Sequence, residues 1–299
     1  MSGASYGLLQ LLAALVLAPL LPGIINRTKA VMAGRHGQPL LQLWYDVAKL
    51  FSKSAVYSRT TTWVFRAGPV VSLAAAACAL SVLPWAGGSA ALAFDGDLVL
   101  FAGVLGLARF LTIAAALDTG SAFEGMGASR EAWFSALTEP ALLLALCALA
   151  RVSGSASLSG ILGGGAGIPT LVLAAGAVTI VFLAENARIP VDDPTTHLEL
   201  TMIHEVMVLD HAGIDLAYVH YGAALKLWVL GGLPVAMLVP RTGLWAADLG
   251  IGLAAMALLA VLTGIIESTM ARLRLSRVPQ LLVAATAMAA LALSLELVR

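Results

Sequence analysis

Eight apolar stretches decide what this chain can become: 5–25, 67–86, 97–117, 133–152, 168–187, 222–240, 247–270 and 279–297. A transmembrane helix needs about 20 mostly apolar residues, because each residue advances only about 1.5 Å through a hydrocarbon layer about 30 Å thick. Backbone polar groups in lipid are satisfied only inside a helix or around a closed barrel. The alternating ten-residue pattern of a barrel is absent, so helices are expected throughout. The expected fold is all-α, a polytopic membrane protein of about eight transmembrane helices forming a single domain over 1–299. Composition agrees: 60% of residues are hydrophobic and 11% are charged, where a soluble domain has roughly 25% charged. Such a chain cannot cover itself with polar groups, so the lipid bilayer is part of its solvent.

The first apolar run lacks the basic n-region of a signal peptide. Pro22-Gly23-Ile24 comes after it in place of a small-residue cleavage site, so it reads as a retained span. A formal net charge of zero gives no reason to expect nucleic acid as a partner. Cys78 and Cys147 lie far apart in apolar runs and form no metal-ligand pattern.

Charge in the connections is lopsided. Arg27, Lys29, Arg35, Lys49, Lys53, Arg59, Arg66, Arg130, Arg188, Arg272, Arg274 and Arg277 fall in odd-numbered connections. Only Arg151, Arg241 and Arg299 fall in the even ones or at the termini. The positive-inside rule then places the odd loops in the cytoplasm, including the two longest, 26–66 and 188–221. Within the first, Leu40, Leu43, Trp44, Val47, Leu50 and Phe51 recur at helical spacing opposite Gln42, Asp46, Lys49 and Lys53. That pattern predicts a cytoplasmic amphipathic helix lying on the membrane or under a docked subunit. The stretch 153–167 is rich in Gly and Ser and reads as a loop.

Chemistry concentrates at the end of the fifth span. Residues 185–205 hold Glu185, Asp192, Asp193, Glu199 and Glu205 together with Arg188, His197 and His204. Asp193-Pro194 suits an N-cap followed by proline, and Thr196 with Glu199 an alternative capping box, so a helix is expected from here to about Asp210. On it His197, Thr201, His204 and Val208 share a stripe with Glu205 beside them, and Glu199 and Asp210 lie opposite. Crowded, buried carboxylates raise one another's pKa and can exchange protons near neutral pH. The plain alternative is a solvated, capped loop. His197 and His204 stand two turns apart, too far for one metal ion to join easily.

Arg109, Glu139 and Glu267 lie inside expected spans, where each charge costs about 2.5–3.5 kcal/mol at a helix centre. They need partners or a function. Asp118 and Glu124 flank the cytoplasmic end of the third span. All five histidines lie outside the spans, which argues against an intramembrane bis-histidine haem. No phosphate-binding, dinucleotide or nucleophile motif appears.

The run Glu185-Asn186-Ala187-Arg188-Ile189-Pro190-Val191-Asp192-Asp193-Pro194, continued by Thr196-His197-Leu198-Glu199-Leu200-Thr201-Met202-Ile203-His204-Glu205, resembles the formate hydrogenlyase subunit 4 / hydrogenase-4 component C family of membrane subunits. A second stretch, Asp118-Thr119-Gly120-Ser121-Ala122-Phe123-Glu124-Gly125-Met126-Gly127-Ala128-Ser129-Arg130-Glu131, is similar to another signature of that family, except that Glu124 stands where a glycine is expected. The resemblance covers nearly the whole chain and extends to the complex I subunit 1 superfamily. It implies an eight-span bundle under a soluble arm of hydrogenase large and small subunits and an iron–sulfur protein, with antiporter-like membrane subunits alongside. Iron–sulfur clusters and the nickel–iron site would belong to those partners, and none to this chain.

The resemblance also assigns Glu139, Glu185, Asp192, Asp193, Glu199 and Glu205 to an acidic funnel, with Arg130 and Arg188 as its basic residues. Asp118 and Glu124 join these as candidate proton or coupling groups, and Arg109, His204 and Glu267 as supporting charges. Quinone-reducing relatives carry an Arg-Ala-Pro-Phe-Asp-like stretch where this chain has Arg188-Ile189-Pro190-Val191-Asp192. That departure favours the hydrogenase branch and leaves quinone in doubt as a ligand. The expected function is a non-catalytic anchor and coupling subunit in the inner (plasma) membrane, linking electron transfer in docked subunits to proton or sodium movement. The rivals are a quinone-chamber subunit of a complex I-like dehydrogenase and a free-standing ion transporter.

Overall fold

The computed structural model describes residues 3–192 and 202–298. The described elements are helical: α1 (Gly3–Leu17), α2 (Leu20–Met32), α3 (Gln42–Phe51), α4 (Trp63–Ser81), α5 (Asp97–Asp118), α6 (Ala122–Ser153), α7 (Leu158–Ile161), α8 (Ile168–Glu185), α9 (Gly213–Leu238), α10 (Trp245–Thr269) and α11 (Val278–Val298). Seven helices are long and apolar enough to cross a membrane, and α1 with α2 supplies an eighth span bent by 48°. The chain is a multi-pass membrane protein.

The bend has a local cause. Pro19 has no N–H to give to Leu15 and its ring crowds that turn. The Leu15 carbonyl released by the break accepts instead from the Tyr221 hydroxyl on α9 at 2.9 Å. Small residues let the α6 and α11 backbones approach closely, as expected where lipid tails compete for every apolar surface. The α6–α11 pair is the most extensive, and Ala141, Ala145 and Ala148 of α6 and Ala285, Ala289 and Ala292 of α11 are fully buried.

Two helices outrun their expected spans by the most. Helix α6 begins at Ala122, well before 133, and α9 at Gly213, well before 222. A helix does not stop where hydrocarbon stops, and both continue into the layer that carries the long connections. The α2–α4, α5–α6, α8–α9 and α10–α11 connections share this face. Asp118 meets Thr62, Glu124 meets Asp210 and Leu273 N–H donates to Pro190 O at 2.9 Å.

The expected amphipathic helix forms as α3. Its Trp44 and Phe51 rest against Tyr221 and Tyr218 of α9, while Leu40, Leu41 and Tyr45 are exposed. The loop expected at 153–167 contains the short α7, fixed by Asp97, which accepts from Leu158 N–H at 2.6 Å and Ser157 Oγ at 2.8 Å. A correction concerns the helix expected to reach Asp210. Its first part, with Asp193, His197 and Glu199, lies outside the described residues. Further along, Glu205–Val208 forms a 3-10 turn. The expected stripe through His204 and Val208 is therefore not an α-helical face, because a 3-10 turn places side chains every 120° instead of every 100°.

Candidate functional site

Arg109 lies in the middle of α5 and meets carboxylates from two other helices. Its Nη2 is 2.7 Å from Glu185 Oε1 and its Nε is 3.5 Å from Glu131 Oε1. Its Nη1 is paired with Glu139 Oε1. Glu131 and Thr138 stand two turns apart on one face of α6, so both look toward Arg109 and Glu185. Thr138 Oγ1 donates to Glu185 Oε1 at 2.6 Å. The other Glu185 oxygen is held by Lys226 Nζ of α9 at 2.9 Å. Glu185 is the last residue of α8 and its side chain is only 5% exposed, yet two cations and a hydroxyl surround it. An uncompensated charge there would be far costlier than this arrangement.

The polar line continues to the long-loop face. His204 places Nε2 3.2 Å from Glu131 Oε2 and Nδ1 3.4 Å from Asp192 Oδ2. Asp192 Oδ1 is 2.7 Å from Arg272 Nη2. The charged contacts thus run Lys226–Glu185–Arg109–Glu131–His204–Asp192–Arg272, with Glu139 as a branch. From Glu131 to Glu139 the branch climbs about 12 Å along α6. Outside the spans the electrostatics are asymmetric. Burial opposes charge on Asp192, but the hydrogen bond and charge of His204 and the Arg272 guanidinium outweigh it and hold the carboxyl below its usual range. Burial also opposes the imidazolium of His204, but Glu131 and the Asp192 hydrogen bond raise its pKa above the ordinary histidine value.

Local geometry explains how the end of α8 aims these groups. Ala187 takes φ 51°, Arg188 N–H bonds back to Leu183 O at 2.9 Å and Ala187 N–H to Ala184 O at 3.4 Å. That is the 6→1 and 5→2 pattern of a Schellman stop. The chain then turns outward, and Arg188 Nη1 reaches Glu267 Oε1 at 3.3 Å. Glu267 of α10 is fully enclosed and also pairs with Lys29 of α2 at 2.9 Å. The 3-10 turn and the segment before it lie tight on α6: a Cβ at Gly127 would collide with Val206 and stand 2.8 Å from Ile203 O.

The site candidates therefore separate. Arg109, Glu139, Glu185, Asp192 and His204 join one chain of contacts. Arg188 and Glu267 form a second cluster with Lys29. Arg130 donates to Met202 O at 2.8 Å and holds the segment leading to His204. Asp118 accepts from Thr62 N–H at 2.6 Å and Phe65 N–H at 3.3 Å, which caps α4. Glu124 is buried and accepts from Asp210 N–H at 3.1 Å. Glu205 is half-buried beside the large cavity. Asp193 and Glu199 lie outside the described residues.

Four participants are not singled out by sequence reasoning: Lys29, Glu131, Lys226 and Arg272. Lys226 carries a usable signal, since it sits in the expected span 222–240 and bears the same insertion cost as Arg109. Glu131 carries a weaker one, two residues outside the expected fourth span.

Two cavities flank the chain of charges. One of ≈ 410 Å³ is lined by apolar groups such as Leu43, Pro69 and Leu105 together with charged ones that include Arg109, Glu185 and His204. A second of ≈ 110 Å³ is bounded by Thr138, Glu139 and Lys226, and the Glu139 side chain is 50% exposed. Among the described residues no group of three or more His, Cys, Asp or Glu side chains is arranged to hold a metal ion.

Known proteins share both the sequence and this fold. The profile of the family described as NADH dehydrogenase matches residues 6–297. The chain is 32% identical over 289 residues to formate hydrogenlyase subunit 4 of Escherichia coli K12, covering 92% of this chain and 93% of that one. It is 34% identical over 285 residues to hydrogenase-4 component C of the same organism, covering 89% and 87%. A subunit of the NADH-quinone oxidoreductase of Rubrobacter xylanophilus is 31% identical over 172 residues, 54% of this chain and 51% of that one. A chain from the membrane-bound sulfane sulfur reductase, an archaeal respiratory membrane complex, has the same fold, with a TM-score of 0.83 at 22% identity over 99% of this chain and 100% of that one.

Proposed function

Because this chain belongs to the NADH dehydrogenase family, complex I subunit 1 type, we propose that it is the membrane anchor and coupling subunit of a multisubunit hydrogenase complex of the formate hydrogenlyase kind. It carries no redox centre. Hydrogenase large and small subunits and an iron–sulfur protein dock on the long-loop face, which is cytoplasmic in the inner (plasma) membrane. Antiporter-like subunits adjoin it in the bilayer. Electron transfer through the clusters and nickel–iron site of those partners changes charge near the junction, and the carboxylates here relay that change to proton or sodium movement.

The observation that carries this reading is the unbroken line of charged contacts from Asp192 at the loop face to Glu139 at a half-open flank inside the bilayer. A purely structural lock would have no need to reach both. The basic loops at 26–66 supply a docking face for an acidic partner surface. Glu185→Gln, Glu199→Gln and Glu205→Gln test the proposal. Each is expected to lower ion uptake per electron transferred in membrane vesicles while the complex still assembles. Unchanged uptake in all three would refute it, as would purification of the chain without hydrogenase subunits.

One observation favours a second reading. The ≈ 410 Å³ cavity falls within the range of small-ligand sites, and its mixed lining of apolar and charged groups suits an amphipathic ligand. Under that reading the chain forms the quinone chamber of a complex I-like dehydrogenase. Inhibition of the intact complex by a quinone analogue would support it, and insensitivity would leave the hydrogenase reading.

A further inference from the structure

His204 is held between two carboxylates that, among the described contacts, belong to separate groups. Its Nε2 faces Glu131 Oε2 at 3.2 Å and its Nδ1 faces Asp192 Oδ2 at 3.4 Å. Its backbone N–H donates to the same Asp192 oxygen at 3.3 Å, which fixes the residue while the ring spans the gap. Without this ring the described contacts divide into Glu131, Arg109, Glu139, Glu185 and Lys226 on one side, and Asp192 with Arg272 on the other. Among these groups, Arg109, Lys226, Arg272 and a protonated His204 balance Glu131, Glu139, Glu185 and Asp192. Loss of the imidazolium proton leaves this set one positive charge short in a buried place. The ring is 21% exposed and borders the large cavity, so it is neither sealed nor fully solvated.

We propose that His204 is the proton-exchanging link between the buried Arg109 group and the long-loop face. The proposal rests on the coupling-subunit reading above and names the residue through which that coupling enters. In the elementary step the His204 Nε2–H bond breaks and an O–H bond forms at Glu131 Oε2. An imidazolium and a carboxylate become a neutral imidazole and a neutral carboxyl, and the Nδ1–H stays directed at Asp192. The same atoms reverse the step. A neutral Glu131 no longer attracts Arg109, whose guanidinium then belongs to Glu139 and Glu185 alone. Proton position and guanidinium pairing are therefore linked.

The groups around the ring set its balance. Glu131 from α6 and Asp192 from the α8–α9 connection favour the charged form, while Lys226 from α9 opposes it. Arg109 of α5 acts through Glu131, and Arg272 of the α10–α11 connection through Asp192. Glu205 is the next residue in the chain, and Arg130 of α6 holds the preceding Met202 carbonyl. A negative charge arriving at the loop face strengthens the hold on the proton, and its departure weakens it.

The test uses the intact complex in inverted native membrane vesicles, with ion uptake per electron measured across roughly pH 5 to 8 and just above. The wild type is expected to lose coupling toward the alkaline end. His204→Gln, which keeps a polar amide but cannot titrate, is expected to lower uptake per electron and to abolish the pH dependence. Glu131→Gln is expected to give the same flat profile, with no further loss in the double variant. His36→Gln, in an exposed loop, serves as the control with an unchanged profile. An assembled His204→Gln complex with the wild-type pH profile overturns the proposal, and so does a flat profile in the wild type, which needs no variant at all. Glu185→Gln separates the two layers of the argument. If it lowers uptake while His204→Gln does not, only the His204 link fails. If His204→Gln leaves uptake unchanged and so do Glu185→Gln, Glu199→Gln and Glu205→Gln, the coupling reading fails as well.

Discussion

Lys226→Met removes the cation that stands 2.9 Å from Glu185 Oε2 and strips that oxygen of its ion-pair partner, in a side chain only 5% exposed. Breaking one half of a buried ion pair costs about 3–5 kcal/mol when the remaining charge is uncompensated. Here Arg109 Nη2 at 2.7 Å and Thr138 Oγ1 at 2.6 Å still satisfy the other oxygen, so a loss near the lower bound, about 3 kcal/mol, is expected. Methionine fills the aliphatic volume of the lysine stem, which keeps packing largely out of the measurement. Glu185→Gln in the same background removes the stranded charge and is expected to restore part of the loss. The assay is a double-mutant cycle on the detergent-solubilised protein, unfolded by titration with a denaturing detergent. An interaction energy of about 1–3 kcal/mol is expected, and additivity within about 0.5 kcal/mol would show that the pair does not interact.

Other consequences arise from the same geometry. Gly127→Ala places a methyl against Val206 and Ile203 O, an overpacking expected to cost about 1–3 kcal/mol; because the displaced segment carries His204, ion uptake per electron should fall with it. A normal uptake ratio would contradict the packing argument. Glu267→Gln leaves Lys29 and Arg188 facing one neutral amide, so the unfolding midpoint should drop, and Glu267→Asp should recover less than half of it because the shorter stem cannot reach both cations. Asp118→Ala removes the cap that serves Thr62 and Phe65 N–H, with an expected loss of about 0.5–2 kcal/mol, read from the same unfolding titration.

Stability should also vary with pH in a defined way. The folded state lowers the pKa of Asp192, so its contribution is present above the unfolded value and is lost as pH falls through the folded one. The folded state raises that of His204, so its contribution is present below the unfolded value and is lost as pH rises through the folded one. A melting-temperature profile should therefore decline at both ends, and His204→Gln should flatten the alkaline limb and also weaken the acid one, because His204 helps to hold the Asp192 carboxyl low.

The spans are legible because hydropathy is a local sum. Twenty apolar residues in a row exclude other solutions whatever the rest of the chain does. The break at Pro19 is visible in residue type but not in consequence, because a single proline inside an apolar run does not by itself reveal whether a span bends or ends. The reach of α6 and α9 beyond their apolar runs is hidden for the opposite reason. Residues 122–132 and 213–221 are polar enough to pass for loop, yet they continue as helix once packed against α5, the 202–208 segment and α3. The acid-rich segment announces chemistry, but the helix expected through it does not appear in the part described, where Arg130 and Gly127 hold the chain against α6 as it enters a 3-10 turn.

Sequence alone determined that this chain crosses a membrane about eight times, that it must find partners for several embedded charges, and that its long connections share one face. Only the tertiary structure decided who the partners are. Arg109 with Glu131 and Glu185, Lys226 with Glu185, and His204 between Glu131 and Asp192 join residues far apart in the chain. The reason is physical: the insertion cost of a charge depends on its own place in its own helix, whereas the relief of that cost depends on which helix faces meet, and that is settled by the packing of the whole bundle.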